Sequence, residues 1–503
     1  MNVAVRAVSP SLVLLLITAS FVMAQERTAP ARPDILILMP DQMRGDCLSV
    51  LGHPVAQTPH FDGLARNGAL FRRAYATVPS CIPARHAFLT GRFPQTTGVV
   101  GFAGRPITVP TLPQELKKAG YATALVGRNM HQIPAREGYG YATQVLGSTY
   151  IDNDQYDRDL RAAAPESGGI RAVVERLGLS FNGWEAKAWP LADELHPTAW
   201  VVQQATKVLG EASAKQPLFL TASFYAPHSP LFPAKAIFEQ CLAAELPKPA
   251  HGSWVDWPSL SPVGDAQQHR VRLEGETLRN AQAGYFAMIC QLDSAIGPLL
   301  DAFRKRSREA GRPWLIVVIS DHGEMLGDHG YYRKCEPYEG SANIPFLIAG
   351  AAELGLVAGL RSNQPVCLED LMPTLLELAG AKVPADLDGI SLTAVMRAKT
   401  KHVRDWLHCE HADCYSQEQA FHSLTDGRWK YIWRPLDGAE QLFDLDGDPR
   451  EERDLVREEA SHPELLRWRS LLVEQLRHRP EGFSDGEKLM PGRPYPALPR
   501  QRR

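Results

Sequence analysis

The sequence is poor in cysteine for its length and has no excess of charge of one sign. Its eight cysteines are spread over 503 residues, which excludes a small domain held together mainly by disulfides. Lysine and arginine together number 54, aspartate and glutamate 57, and the formal net charge is -3. This balance excludes a general electrostatic attraction to nucleic acid or to an anionic membrane. An anionic substrate would need positive groups placed locally.

Long hydrophobic runs are absent beyond the N-terminal segment. Residues 1–24 combine Arg6, an apolar stretch over 12–22 and the small-residue sequence Val-Met-Ala before Gln25. This pattern is typical of a cleaved signal peptide, and the apolar stretch is short for a membrane span. An uncleaved anchor is the alternative. We expect an exported protein, periplasmic or extracellular, without a stable membrane span.

Apolar runs alternate with helical segments over most of the chain. Runs such as Ile35–Met39, bounded by proline or polar residues, predict strands buried on both faces. Further strands are predicted at 123–126, 217–227, 312–320 and 344–350, and helices at 58–68, 112–120 and 278–303. This alternation predicts an α/β fold with a large, mostly parallel sheet covered by helices on both faces.

The pattern changes near residue 385. Aromatic strands interrupted by Asp-Gly turns over 422–448 predict antiparallel hairpins, followed by a charged helix at 463–478. We therefore divide the chain into a signal peptide (1–24), a catalytic domain (33–385) and a smaller C-terminal α+β subdomain (386–503) with an antiparallel sheet.

Two predicted strands end in an aspartate followed by a polar residue, Asp41-Gln42 and Asp321-His322. Ligands gather at the carboxyl ends of strands in parallel sheets. Carboxylate and amide oxygens suit Ca²⁺ better than a softer metal. The alternative is that both aspartates only cap the helices that follow.

Cys81 precedes an apolar helical run in the stretch YATVPSCIPARHAFLTGRFP (75–94). A thiol is a modest nucleophile unless its pKa is lowered, and Arg85, one helical turn later, is placed to lower it. A cysteine hydrolase would also need a positioned base.

The arrangement Cys81-x-Pro83-x-Arg85, followed by Leu-Thr-Gly-Arg, resembles the motif of type I sulfatases of the alkaline-phosphatase-like superfamily. The upstream Asp-Gln pair and the downstream stretch SDHGEMLGDHG fit the same pattern, and the similarity runs from about Asp34 to Pro480. The resemblance implies that a formylglycine-generating enzyme oxidises Cys81 to formylglycine, and that the substrate is a sulfate ester. Hydrated, this aldehyde would offer one hydroxyl for attack on sulfur and a second for expelling sulfate.

The resemblance also implies roles for individual residues. One Ca²⁺ would be surrounded by Asp41, Gln42, Asp321, His322 and the modified Cys81, with Asp321 also a candidate base. Arg85 would hold the modified Cys81. His228 and Lys334 would bind the sulfate and help protonate the leaving oxygen. His131 would accept the second proton, and Arg128 would bind an anion.

The sequence departs from the family pattern at two places. The family usually has Gly-Lys-x-His where this chain has Gly127-Arg128-Asn129-Met130-His131, with one residue more before the histidine. Gln42 replaces the second aspartate of many members, which lowers the negative charge at the metal. We expect a weaker calcium site, or one more tolerant of a singly charged ester.

Three functions remain open from the sequence. The first is a secreted sulfatase acting on a sulfated carbohydrate or an aryl sulfate; five tryptophans in 181–200 and 251–262 could stack on sugar rings or simply pack. The second is a phosphonate monoester or phosphodiester hydrolase of the same superfamily. The third is a binding protein that keeps the thiol at position 81.

A cluster of possible zinc ligands, HCEHADC (408–414), lacks an obvious second ligand pair. We expect a loop with a local disulfide or free thiols.

Overall fold

The computed structural model describes residues 1, 3, 4 and 31–499, without 136, 263, 264, 266, 267 and 459–461. The predicted signal peptide, except for Met1, Val3 and Ala4, lies outside these residues. The strands are β1 (Asp34–Asp41), β2 (Gly68–Phe71), β3 (Ala74–Tyr75), β4 (Ala122–Gly127), β5 (Thr143–Leu146), β6 (Leu218–Pro227), β7 (Trp314–Ile319), β8 (Phe346–Gly350), β9 (Leu360–Ser362), β10 (Val366–Cys367), β11 (Leu407–His411), β12 (Phe421–Thr425), β13 (Trp429–Trp433) and β14 (Glu440–Asp444).

The helices occupy the segments between these strands and the region after them. They are α1 (Pro59–Asn67), α2 (Cys81–Thr90), α3 (Pro94–Thr97), α4 (Leu112–Lys118), α5 (Gln155–Ala163), α6 (Ile170–Arg176), α7 (Pro197–Glu211), α8 (Lys235–Ala243), α9 (Gly275–Glu309), α10 (Glu339–Ala342), α11 (Leu371–Leu378), α12 (Thr393–Met396), α13 (Leu455–Glu458) and α14 (Pro463–Leu476).

The central feature is an eight-stranded sheet with the order β5-β4-β6-β1-β7-β8-β2-β9. Strands β5, β4, β6, β1 and β7 are mutually parallel, and β8 runs antiparallel to both of its neighbours. The prediction of a large, mostly parallel sheet is confirmed. The antiparallel direction of β8 is a detail that its apolar run did not predict.

Both faces of this sheet are covered, as the continuous apolar run of β1 requires. On one face Leu36 and Leu38 pack in a core with residues of α7 and α9, and on the other Ile35 and Ile37 pack with residues of α2 and α11. Alternate residues of a strand point to opposite faces. The run Ile35–Met39 is therefore apolar throughout because neither face meets water.

The C-terminal region forms a separate four-stranded antiparallel sheet in the order β11-β12-β13-β14. Helix α14 packs on it through Leu465, Trp468 and Leu472, which share a core with Tyr431 and Leu442. The predicted antiparallel hairpins and the charged helix are confirmed as elements, whereas the boundary at 385 remains a prediction.

Helix α9 is longer than the predicted segment 278–303 and begins at Gly275. In length and composition it could cross a membrane, which the sequence reading did not anticipate. However, 72% of its most apolar window is buried inside the protein. Its apolar residues pack against β6 and α7 in the core, so we describe it as a core helix.

Most of the tryptophans considered for sugar stacking are core residues. Trp184, Trp189, Trp200 and Trp254 are 6%, 4%, 5% and 9% exposed, and only Trp257 is half-buried, stacked on His251. A buried ring cannot receive a sugar, so the stacking interpretation is wrong for those four.

Candidate active site

The candidate active site lies at the carboxyl ends of four neighbouring strands, β4, β6, β1 and β7. Each strand delivers a side chain that the sequence pattern singled out, listed here by strand: Arg128 after β4, His228 after β6, Asp41 and Gln42 at the end of β1, and Asp321 and His322 after β7. All six are buried, with exposures of 5% or less. Parallel strands place their carboxyl ends at one edge, which explains how residues far apart in sequence meet.

Cys81 reaches this edge as the first residue of helix α2. Ser80 before it is extended, and its hydroxyl is 2.7 Å from Nε2 of His411. Cys81 is 1% exposed. The amino end of a helix favours negative charge, so position 81 suits a group that becomes anionic during reaction.

Cationic and polar groups surround the sulfur of Cys81. Its Sγ is 3.1 Å from Nε2 of His322, 3.2 Å from Nζ of Lys334 and 3.9 Å from Oδ1 of Asp41. Burial by itself raises the pKa of the Cys81 thiol, but Lys334, His322 and Arg128 together hold this pKa well below its usual value. These three neighbours therefore favour the thiolate over the neutral thiol.

Arg85 contacts the two carboxylates rather than the thiol. Its Nη2 is 2.8 Å from Asp41 and its Nε is 2.8 Å from Asp321, and all three side chains are 0% exposed. From the sequence we expect Arg85 to lower the pKa of Cys81. In the structure the main charged neighbours that lower this pKa are Lys334, His322 and Arg128.

The two aspartates differ in their protonation equilibria. Burial raises the pKa of Asp41 to about 6, reinforced by Asp321 and opposed by Arg128 and Arg85. Burial also acts on Asp321, but His322 and Arg85 outweigh it and hold the pKa of Asp321 well below its usual value. Their ligand atoms, with those of Cys81 and His322, all lie within 4.8 Å of one another and could hold a metal ion.

Lys334 joins several groups of the site. Its Nζ is 3.1 Å from Oε1 of Gln42 and 3.1 Å from Nε2 of His228, in addition to its contact with Cys81. His228 donates from Nδ1 to the carbonyl of Ser229 (2.7 Å), which leaves Nε2 as the acceptor facing Lys334. Burial, with Lys334 beside it, lowers the pKa of His228 to about 4, so this histidine is neutral near pH 7.

The extra residue before His131 does not remove this histidine from the site. His131 adopts a left-handed backbone with φ of 55°, and its side chain is near enough to Cys81 to help lower the pKa of that thiol. Its Nδ1 is 3.4 Å from Arg128. Arg128 itself is 2% exposed, pairs with Asp41 and lies 4.9 Å from the ring of Tyr225. The structure therefore brings all ten predicted site residues together, and their individual roles stay predictions.

Sequence reasoning missed three polar groups that support the site. Glu324 accepts a hydrogen bond from the side chain of Gln42 (2.6 Å), Ser223 accepts one from Arg85 (3.2 Å), and His411 contacts Ser80. Glu324 stands within the stretch SDHGEMLGDHG, so a search for acceptors near the Asp-His pair would have found it. No sequence signal pointed to the other two.

The possible zinc cluster in 408–414 is a loop only at its end, over 412–414. His408, Cys409 and His411 lie on strand β11, and every cysteine in the protein is a free thiol. His408, Glu410 and His422 do approach one another, but Arg479 pairs with Glu410 at 2.8 Å. The guanidinium of Arg479 therefore already neutralises the carboxylate of this cluster.

Comparison with known proteins agrees with this geometry. A family model described as Sulfatase matches residues 33–381, and one described as N-sulphoglucosamine sulphohydrolase, C-terminal, matches residues 327–478. An arylsulfatase of Clostridium perfringens (strain 13 / Type A) is 34% identical over 485 residues, covering 93% of this chain and 99% of its own. A choline-sulfatase of Rhizobium meliloti (strain 1021) is 29% identical over 441 residues, covering 84% of this chain and 81% of its own.

Among solved structures, the phosphonate monoester hydrolase of Agrobacterium radiobacter has a TM-score of 0.75 at 23% identity, covering 88% of this chain and 95% of its own. This likeness shows the shared fold. The family match and the arylsulfatase identity go further: the chain belongs to the type I sulfatase family. It is accordingly a sulfuric ester hydrolase.

Proposed function

We propose that this sulfatase is an exported enzyme that hydrolyses the sulfate ester of a ring-bearing alcohol, either a carbohydrate or an aryl sulfate. The proposal includes a formylglycine made from Cys81 by a formylglycine-generating enzyme, and one bound Ca²⁺. The observation that carries it is the convergence of Cys81, Asp41, Asp321, His322 and Lys334 at the ends of adjacent strands.

The donor set fits a hard divalent cation. Two carboxylates and the amide oxygen of Gln42 approach from β1 and β7, and oxygen ligands are those that Ca²⁺ prefers. His322 lies beside them, with Nε2 3.8 Å from Asp321. The sulfur of Cys81 occupies the position where the oxygens of a hydrated formylglycine would stand. When bound, the cation would polarise the sulfate and favour the ionised form of a nearby hydroxyl.

The chain's own side chains supply the remaining chemistry. In the unoxidised chain Cys81 and Asp41 outweigh the effect of burial and raise the pKa of Lys334. Asp41 still acts on Lys334 after Cys81 is oxidised, so a protonated Lys334 can neutralise sulfate oxygens. Neutral His228, hydrogen-bonded to Lys334, can relay a proton toward the leaving oxygen. His131 lies near position 81, where its side chain helps to lower the pKa of the thiol, and we assign it the role of accepting a proton from that position.

An exposed aromatic side chain supports a ring-bearing leaving group. Phe102 is 43% exposed, its ring centroid lies 6.0 Å from that of His131, and Nζ of Lys334 lies 6.0 Å from the Phe102 ring. An apolar face at this position can stack on an aryl or pyranose ring as it approaches the site. The name arylsulfatase, of one matched protein, and the name N-sulphoglucosamine sulphohydrolase, of the family model that matches the C-terminal region, are consistent with either ring.

The experiment that tests the mechanism is mass spectrometry of the tryptic peptide 74–85, from protein made together with a formylglycine-generating enzyme and exported from the cell. We expect an aldehyde at position 81 and a mature chain that begins at Gln25. Cys81→Ala is the matched control; it should fold, lack the aldehyde and lose turnover. Active protein whose residue 81 is still a thiol would contradict the proposal.

Matched substrates separate the two enzyme classes of this fold. Rates on aryl esters of sulfate, phosphate and phosphonate should be compared at one leaving group. We expect the highest kcat/KM on the sulfate. A preference for the phosphonate would contradict the proposed substrate, and would instead favour a phosphonate monoester hydrolase.

A further inference from the structure

Gln42 is held at each of its polar groups. Its backbone N–H donates to Asp321 (3.1 Å) and its carbonyl accepts from the hydroxyl of Tyr285 (2.6 Å). Its side-chain Nε2 donates to Oε2 of Glu324 at 2.6 Å, and its Oε1 accepts from Nζ of Lys334 at 3.1 Å. The backbone is left-handed, with φ of 65°. Its position is thus over-determined, and its two side-chain partners decide which way the amide points.

Glu324 makes this choice because a carboxylate offers only acceptors. Its Oε1 accepts the backbone N–H groups of Leu326 (2.8 Å) and Arg333, and its Oε2 faces Gln42. Glu324 is 5% exposed, so water cannot readily replace it. The NH₂ group of Gln42 must therefore point to Glu324, and its oxygen must point to Lys334, whose Nζ also contacts Cys81 of the proposed calcium site.

We propose that Glu324 is a positioning residue whose carboxylate keeps the amide oxygen of Gln42, rather than its nitrogen, directed at the cation. This inference rests on the proposed function, because it concerns the same calcium site. An amide oxygen is a hard ligand for Ca²⁺, whereas the amide nitrogen would present hydrogens to the cation. The Gln42–Glu324 pair is therefore how this chain builds an oxygen ligand where Gln42 replaces an aspartate.

A purely structural role for Glu324 makes a different prediction. Suppose that the carboxylate of Glu324 only stabilised the loop that follows it, by accepting the N–H groups of Leu326 and Arg333. A glutamine at position 324 would then serve as well, because its amide oxygen could accept the same two N–H groups. Its NH₂ group would then face the NH₂ group of Gln42. Two donors in contact would displace the Gln42 amide, and a rotated amide would in turn place its nitrogen against the ammonium of Lys334. In either case the amide oxygen would no longer be held toward the cation.

The test is a set of variants, Glu324→Gln, Gln42→Glu and the double variant Q42E/E324Q, studied as unoxidised protein by calorimetric titration with Ca²⁺. We expect Glu324→Gln to bind Ca²⁺ about tenfold to a hundredfold more weakly than the unchanged chain. Gln42→Glu places two carboxylates in contact and should also bind less well. The double variant reverses the hydrogen bond, and should recover at least tenfold of the lost affinity. In oxidised enzyme, excess Ca²⁺ should restore kcat of Glu324→Gln.

Asp328→Asn is the matched control, since Asp328 is a carboxylate of the same segment that contacts Ala250 and Arg44 but not Gln42. Its Ca²⁺ affinity should be unchanged. If Glu324→Gln binds Ca²⁺ as tightly as the unchanged chain, the inference is overturned but the proposed calcium site is not. The same holds if the double variant binds Ca²⁺ no better than the two single variants. No Ca²⁺ binding by the unchanged chain would overturn the inference together with the proposed calcium site. If Glu324→Gln does not fold, a folded double variant with near-normal affinity supports the inference.

Discussion

Removal of Arg85 is the perturbation whose magnitude follows most directly from the structure. The guanidinium makes two hydrogen bonds of 2.8 Å, one to Asp41 and one to Asp321, with all three side chains 0% exposed. A hydrogen bond to a charged group contributes about 1.5–3 kcal/mol. Breaking a buried ion pair by removing one partner costs about 3–5 kcal/mol. Asp41 retains Arg128 as a partner, so we expect Arg85→Ala to lower the free energy of unfolding by about 3 kcal/mol.

Arg85→Lys refines this expectation. A lysine has the charge but not the planar guanidinium that reaches two carboxylates. Arg85→Lys should therefore lower the free energy of unfolding about half as much as Arg85→Ala does, by roughly 1.5 kcal/mol. Denaturant unfolding followed by tryptophan fluorescence measures both values. With a chelator present the full loss should be seen, and Ca²⁺ should reduce it, because a cation beside Asp41 and Asp321 would offset their charge.

Arg453→Ala is the control for this series. Arg453 and Glu458 form an exposed pair, with side chains 67% and 49% accessible. Exposed ion pairs contribute little to stability, so Arg453→Ala should be far less destabilising than Arg85→Ala. If Arg85→Ala were no more destabilising than Arg453→Ala, the reading of Arg85 as the charge partner of both carboxylates would be refuted.

Two further predictions concern charge and pH. Lys334→Met should lower kcat about a hundredfold or more in the oxidised enzyme. In unoxidised protein the same variant should raise the pKa of the Cys81 thiol, which thiolate ultraviolet absorbance measures. An unchanged pKa would contradict the contact of 3.2 Å between Lys334 and Cys81. Burial raises the pKa of Glu369 from 4.5 to about 7, so the folded protein holds a proton that the unfolded chain has lost between these values. The free energy of unfolding should therefore fall as pH rises from about 4.5 to about 7, and Glu369→Gln should flatten this dependence; an unchanged slope would contradict it.

The sheet and the location of the site were predictable because both depend on local patterns. A continuous apolar run such as Ile35–Met39 can only be a strand buried on both faces, and an aspartate directly after it must lie at the edge of the sheet. The same reasoning placed Asp321 and His322. The Cys-x-Pro-x-Arg pattern around Cys81 added the chemistry, because it resembles the motif of type I sulfatases.

The partners of the charged side chains were not predictable, because they depend on contacts between distant parts of the chain. Gln42 and Glu324 are separated by 282 positions, and Arg85 and Asp321 by 236. Helical spacing suggested that Arg85 would act on Cys81, since the two lie one turn apart. In the structure Arg85 instead binds the two carboxylates, because a buried guanidinium is stabilised most by fixed opposite charges within hydrogen-bond reach. The role of the tryptophans in 181–200 and 251–262 also depends on distant contacts. Aromatic rings in irregular segments fill cores as readily as they line clefts, so the sequence alone could not show that most of them are buried.

The charge of the site explains why substrate preference must be measured with esters that share one leaving group. Two aspartates face three cations, Arg85, Arg128 and Lys334, and Gln42 contributes no charge. A divalent cation would add to this positive balance. A sulfate monoester and a phosphonate monoester each carry one negative charge, so the field of the site attracts both equally. Discrimination between them must come from contacts with the reacting group and its substituents, where His228, His131 and Phe102 stand. The comparison of a sulfate and a phosphonate ester with one leaving group therefore probes specificity itself, free of the general attraction for anions.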